Sequence, residues 1–244
     1  MTRALRAVVA MLVFGACLAH GEAGPPLLTD DPGTPGDGDW EMNFAWTSER
    51  AVDARHDEAP LVDLNYGVGE RVQLKFEMPW VAETGHANDG FGNAAVGVKW
   101  RFLDQGEGGW QVSTYPQAEF LPPGLHHTAS AEAGVGWLLP IEVQRDFGGF
   151  DAGFEVGRTL APSADDGWIA GVAVGGDVSE HLQLLAELHD ETVEHEGHEL
   201  AFNVGTRATL SEHFTVLASV GTDVENTLEA RNRWLSYLGL QVNL

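Results

Sequence analysis

From Trp40 onward, apolar side chains recur at every second position, and polar stretches interrupt them at regular intervals. In "RVQLKFEMPW", Val72, Leu74, Phe76, Met78 and Trp80 share one face, while Arg71, Gln73, Lys75 and Glu77 take the other. A period of two is the signature of a strand with one apolar side. It recurs in "DWEMNFAWT", "NAAVGVKWRF", "WQVSTYPQAEF", "VGWLLPIEVQRDF" and on to "YLGLQVNL", giving twelve candidate strands between Trp40 and Leu244. Short turns ("GVGE", "LDQGEGG", "FGG", "DVSE", "LSE") alternate with longer polar loops such as "SERAVDARHDEA" and "LPPGLHHTASAEA". This is the rhythm of an up-and-down antiparallel sheet with both of its ends on the short-turn side. The last segment alternates through to Leu244, as a strand that closes a barrel would. No stretch has a helical period of comparable strength.

Alternation does not say which face points inward. A soluble sandwich or lipocalin-type barrel buries the apolar face, whereas an outer-membrane barrel turns it towards lipid. The tryptophans favour the second arrangement. Trp40, Trp100 and Trp110 fall near the short-turn rim, and Trp46, Trp80, Trp137, Trp168 and Trp234 near the long-loop rim, as two aromatic girdles would. The opposite face carries Arg71, Lys75, Glu77, Lys99, Arg101, Glu119, Glu155, Glu187 and Arg207 among many glycines. These are the predicted lumen-lining residues. The reading is all-β: an antiparallel up-and-down transmembrane β-barrel of twelve strands.

The N-terminus adds an address. Arg3 and Arg6 precede an apolar run that ends in small residues at Ala23, the form of a cleaved export signal. Residues 1–23 are thus expected to be removed, 24–38 to form an irregular periplasmic lead-in rich in Pro, Gly and Asp, and 39–244 to form the barrel. The one cysteine, Cys17, lies in the signal, so the mature chain enters an oxidising compartment without a disulfide. The formal net charge is −24, a balance that repels nucleic-acid phosphates.

Several stretches resemble the outer-membrane family of meta-pathway phenol-degradation proteins, also described as transporters. They are "GPPLLTDDPGTPGDGDWE", "LNYGVGERVQLKFEMPW", "GNAAVGVKWRF", "LPIEVQRDFGGF" and "GTRATLSEHFTVLASVG". The resemblance spans nearly all of the mature chain, and its more specific parts are "TDDP" (with Asp30, Asp31 and Pro32) and "GVGERVQLKFEMP". It implies an outer-membrane barrel of Gram-negative bacteria that passes small solutes, aromatic or hydrophobic ones among them. It carries over no catalytic residue. One departure is the terminal Leu244, where such chains commonly end in an aromatic residue.

Candidate chemistry is sparse. "HDETVEHEGHE" gathers His189, His195 and His198 with several carboxylates, a donor set suited to zinc or copper, although no HExxH helix frames it. A solvated acidic loop is the competing reading. Ser113, Ser179, Ser211 and Ser219 lack a histidine at matching height, so no acyl-transfer enzyme is predicted, and no motif calls for a cofactor. The functional expectation is a passive, cation-preferring channel for small solutes. Its partners would be outer-membrane lipid, lipopolysaccharide and the barrel-insertion machinery, with no nucleic acid. A structural or surface-interaction barrel without an open pore and a soluble periplasmic all-β binding module are the alternatives.

Overall fold

The computed structural model describes residues 23–51, 54–84, 89–106, 108–228 and 233–244. The expected signal therefore lies outside the described residues, except for Ala23. Twelve strands follow one another around a ring: β1 (Trp40–Arg50), β2 (Arg55–Val68), β3 (Val72–Glu83), β4 (Ala94–Asp104), β5 (in two pieces, Trp110–Thr114 and Gln117–Phe120), β6 (Val135–Asp146), β7 (Asp151–Leu160), β8 (Gly167–Ser179), β9 (Leu182–Val193), β10 (Gly197–Ser211), β11 (Phe214–Asn226) and β12 (Trp234–Asn243). Each pairs antiparallel with its chain neighbours, and β12 returns to pair with β1 from Glu41↔Asn243 to Arg50↔Trp234. Trp40 and Leu244 exchange both backbone hydrogen bonds, at 2.8 and 2.9 Å. The ring is closed, so no strand edge is left unpaired.

Sequence alternation becomes sidedness. Phe44, Leu74, Phe76, Val98, Phe154, Val172, Leu188, Phe202 and Leu240 stand exposed on the outer wall, while Asn43, Asp63, Gln73, Lys99, Glu142 and Glu187 are buried inside. This polarity is the reverse of a soluble β-domain and is that of barrels whose outer face meets hydrocarbon. It separates the chain from the soluble-module alternative.

Two irregularities shape the wall. Between Ala45 and Thr47 the β1–β2 register shifts, with Ala59 and Pro60 of β2 opposing Trp46 alone, and Ser48 just beyond is buried. In β5 the ladder breaks at Tyr115–Pro116, because proline has no N–H to give. The carbonyl of Pro116 still accepts from Val98 N at 3.1 Å, and the Tyr115 ring swings into the lumen, where it is 1% exposed.

The lead-in is where the structure departs from expectation. Residues 24–38 are irregular, but they do not hang beneath the barrel. The stretch from Ala23 to Asp31 runs inside it as a strap. Its first residues pack with the lumen-facing Ala173 and Leu185. A polar, proline-rich sequence reads as exposed because its backbone groups need partners. Here the barrel's inner wall supplies them.

Candidate functional site: a lumen divided by a strap

Five strands hold the strap. From β9, the Glu187 carboxylate accepts the backbone N–H groups of Leu28 and Thr29, each at 2.8 Å, and the amide of Asn203 on β10 at 2.6 Å. From β7, Glu155 accepts the N–H of Asp30 at 2.9 Å. From β4, Lys99 Nζ donates to Asp30 Oδ1 at 3.0 Å and also to the Asp31 carbonyl. Arg207 on β10 donates to the carbonyls of Pro25, at 2.9 Å, and Ala23, at 2.6 Å. Ser219 on β11 adds a bond to the Pro26 carbonyl at 2.7 Å. Anions thus meet strap N–H groups and cations meet strap carbonyls, the pairing in which charge-assisted bonds are strongest.

The strap fits because the wall opposite it is bare. A Cβ at Gly171 would lie 2.8 Å from Thr29 Cγ2 and nearer still to its Oγ1. Gly153 and Gly205 likewise face Ala23 and Pro26, with hypothetical Cβ contacts of 3.3 and 3.2 Å. The inward glycines are the groove in which the strap lies.

Two chambers result. The one towards the short turns, about 320 Å³, is lined by polar groups including Asp63, Gln73, Lys75, Lys99, Arg207 and Gln241. The one towards the long loops, about 440 Å³, mixes carboxylates with an aliphatic belt of Leu61, Leu138, Ile169 and Leu235. Between them, Lys99 Nζ lies 4.6 Å from the Tyr115 ring centre and 3.5 Å from Glu142 Oε2, itself fully buried and hydrogen-bonded by Ser113 at 2.5 Å.

The predicted lumen residues divide by task. Glu155, Glu187, Lys99 and Arg207 are strap anchors. Lys75 and Glu77 pair with each other at 2.8 Å and line the outer chamber. Glu119, on the second piece of β5, pairs in register with Ala95 and Gly136 towards the long loops. Arg101 lies at the short-turn rim, donating to the Glu70 carbonyl at 2.6 Å. Arg71 is not in the lumen. A single 3-10 turn, Gly69–Arg71, precedes β3 and carries the side chain out of the alternation, leaving it exposed.

Of the tryptophans, Trp40, Trp100, Trp110, Trp137, Trp168 and Trp234 stand exposed on the outer wall. Trp46 and Trp80 are half-buried, the latter edge-on to Phe91 at 5.0 Å.

The three histidines do not converge. β9 continues through Val193, so His189 points inward and lies 3.4 Å from Thr29 Oγ1. His195 occupies the turn, with φ 67°, beside Asp165 at 3.3 Å, and His198 bonds Asp190 at 2.8 Å. Among the described residues no group of three or more His, Cys, Asp or Glu side chains is placed to hold a metal ion. The wide loop read from "HDETVEHEGHE" is a tight turn between two long strands, and alternation scatters its ligands across both faces.

Sequence reasoning missed Ser219 and Asn203 as strap contacts, and it missed the inward aliphatics. Leu138, Ile169 and Leu235 were legible as apolar residues out of phase with the outward face.

A closed twelve-stranded barrel with apolar residues outside and a polar lumen is the architecture of outer-membrane β-barrel proteins. No protein-family model matches the sequence, and no curated protein matches it. The solved structures nevertheless include clear fold relatives. An outer-membrane channel from Pseudomonas putida F1 superposes with a TM-score of 0.67 at 12% identity, over 91% of this chain and 100% of that one. The NanC porin gives 0.64 at 8% identity, over 83% and 100%. The KdgM porin in complex with disordered oligogalacturonate gives 0.62 at 8% identity, over 83% and 98%. At these identities the likeness concerns fold alone, and it does not test membership of the phenol-degradation family.

Proposed function

We propose that this protein resides in the Gram-negative outer membrane and is a passive, cation-preferring channel for small solutes, with a bore narrowed by its own N-terminal strap. The observation that carries this reading is the pair of chambers inside a closed barrel, the outer one lined by eight carboxylates and two cations. A low-dielectric wall around one sign of charge focuses the field and concentrates counter-ions. Porins and a channel among the fold relatives support the class, and the sequence resemblance adds small aromatic compounds as solutes. Lipopolysaccharide at the acidic loops and the barrel-insertion machinery are the partners this location entails. Among the described residues no reacting constellation supports an enzyme.

A second reading, a barrel without an open pore, is favoured by one feature: the strap crosses the lumen and is anchored from five strands.

Planar-bilayer conductance under a salt gradient, paired with uptake of small aromatics by cells with and without the protein, decides between them. Reversal potentials on the cation side are expected, with Glu77→Gln and Glu119→Gln each reducing the preference. Anion selectivity would defeat the charge argument, and no conductance with no uptake difference would leave the closed barrel.

A further inference from the structure

The outer chamber has two unlike halves. One is aliphatic: Leu61, Leu138, Ile169 and Leu235 line the wall, and Leu27 and Leu28 of the strap form part of its boundary. The other is a surplus of hydrogen-bond acceptors. Both lining cations are already committed. Arg233 bonds Glu49 at 2.9 Å, also Glu199, and lies 3.4 Å from Asp223. Lys75 is held by Glu77 at 2.8 Å and Asp63 at 3.8 Å. Glu191 lines the same chamber and makes no hydrogen bond or ion pair with any described residue.

Ile169 on β8 pairs in register with Glu191 on β9, so this open carboxylate lies beside the aliphatic belt. The chamber therefore lacks a charged donor attached to an apolar body, and about 440 Å³ lies within the range of small-molecule pockets.

We propose that the outer chamber is a binding site for small amphipathic organic cations, such as arylalkyl or alkyl ammonium ions, with the ammonium at Glu191 and the hydrocarbon against the Leu138–Ile169 belt. This deepens the channel reading, since it names a solute class for the same lumen. A bare inorganic cation would satisfy the acceptors and leave the belt wetted. A neutral hydrocarbon would do the reverse.

The test is calorimetric titration of the detergent-solubilised protein at neutral pH with phenethylammonium, and with phenethyl alcohol and phenylacetate as neutral and anionic counterparts. Phenethylammonium should bind about tenfold more tightly than the alcohol, the factor for one charge-assisted hydrogen bond. Glu191→Gln should remove most of that difference and spare the alcohol, and Leu138→Ser should weaken both. Heat-dependent gel mobility shows that each variant is folded.

Equal affinity for ammonium and alcohol, preference for phenylacetate, or indifference to Glu191→Gln would each overturn the site. The result is independent of conduction. Selective binding without conductance would keep the site and defeat the channel, and cation conductance without selective binding would do the opposite.

Discussion

Replacing Lys99 with methionine tests whether the strap is held as the structure describes. The side chain is 2% exposed, and its ammonium lies 3.0 Å from Asp30 and 3.5 Å from Glu142, with the Asp31 carbonyl also in reach. Methionine keeps most of the volume and removes the charge. It strands two carboxylates, Glu142 fully buried, with no cation between them. Breaking a buried pair from one side costs about 3–5 kcal/mol. Keeping each strap residue ordered costs about 1–2 kcal/mol of backbone entropy, which the remaining anchors must offset. The docked-to-released ratio of the strap should therefore fall by about two to three and a half powers of ten. The barrel wall, whose ladders do not involve this side chain, should stay intact.

Limited proteolysis should then cut between Gly24 and Asp31 in Lys99→Met and spare the parent, with heat-dependent gel mobility unchanged. Single-channel conductance should rise. Adding Asp30→Asn and Glu142→Gln removes the stranded charges and should restore most of the protection. Equal protease resistance and equal conductance in parent and variant would refute the reasoning, because Lys99 would then not be an anchor.

Two other expectations follow from the same geometry. Leu74→Arg or Phe76→Arg should impair assembly by about 2–4 kcal/mol at mid-bilayer, whereas Gln73→Arg, on the lumen side, should be better tolerated; urea-unfolding titrations in lipid vesicles compare them, and equal damage would contradict the sidedness. Gly171→Val should expel the strap by collision with Thr29, giving the proteolysis and conductance changes of Lys99→Met while the barrel still closes; a protected strap would show that the groove is not required.

The wall was legible because each strand obeys one local rule. Leu74, Phe76 and Met78 declare their face through neighbours two residues away, and twelve repetitions of that rule define a barrel. Arg71 escaped the rule because the turn at Gly69–Arg71 breaks the phase just before β3. His189 was misplaced for the converse reason: its acidic surroundings read as loop, but β9 carries alternation through to Val193.

The strap was not legible, since its partners are remote. Leu28 and Glu187 are 159 residues apart, and Asp30 and Glu155 are 125 apart. No local pattern announces such pairs. Only the inward glycines and charges hinted at a crowded interior, and they could not say what crowded it.

The strap also changes what a solute meets. The lumen's first occupant is a tethered ligand, part of the same chain, with leucines bordering one chamber and backbone groups saturating the anchors. A tether of this kind presents its ligand at an effective concentration in about the millimolar range. Any solute that needs the space of the strap must compete with that internal supply, and its apparent affinity is reduced by the fraction of barrels in which the strap is seated. Solutes that fit beside the strap escape this competition. The segment can therefore discriminate by size through mass action alone, with no moving gate in the wall.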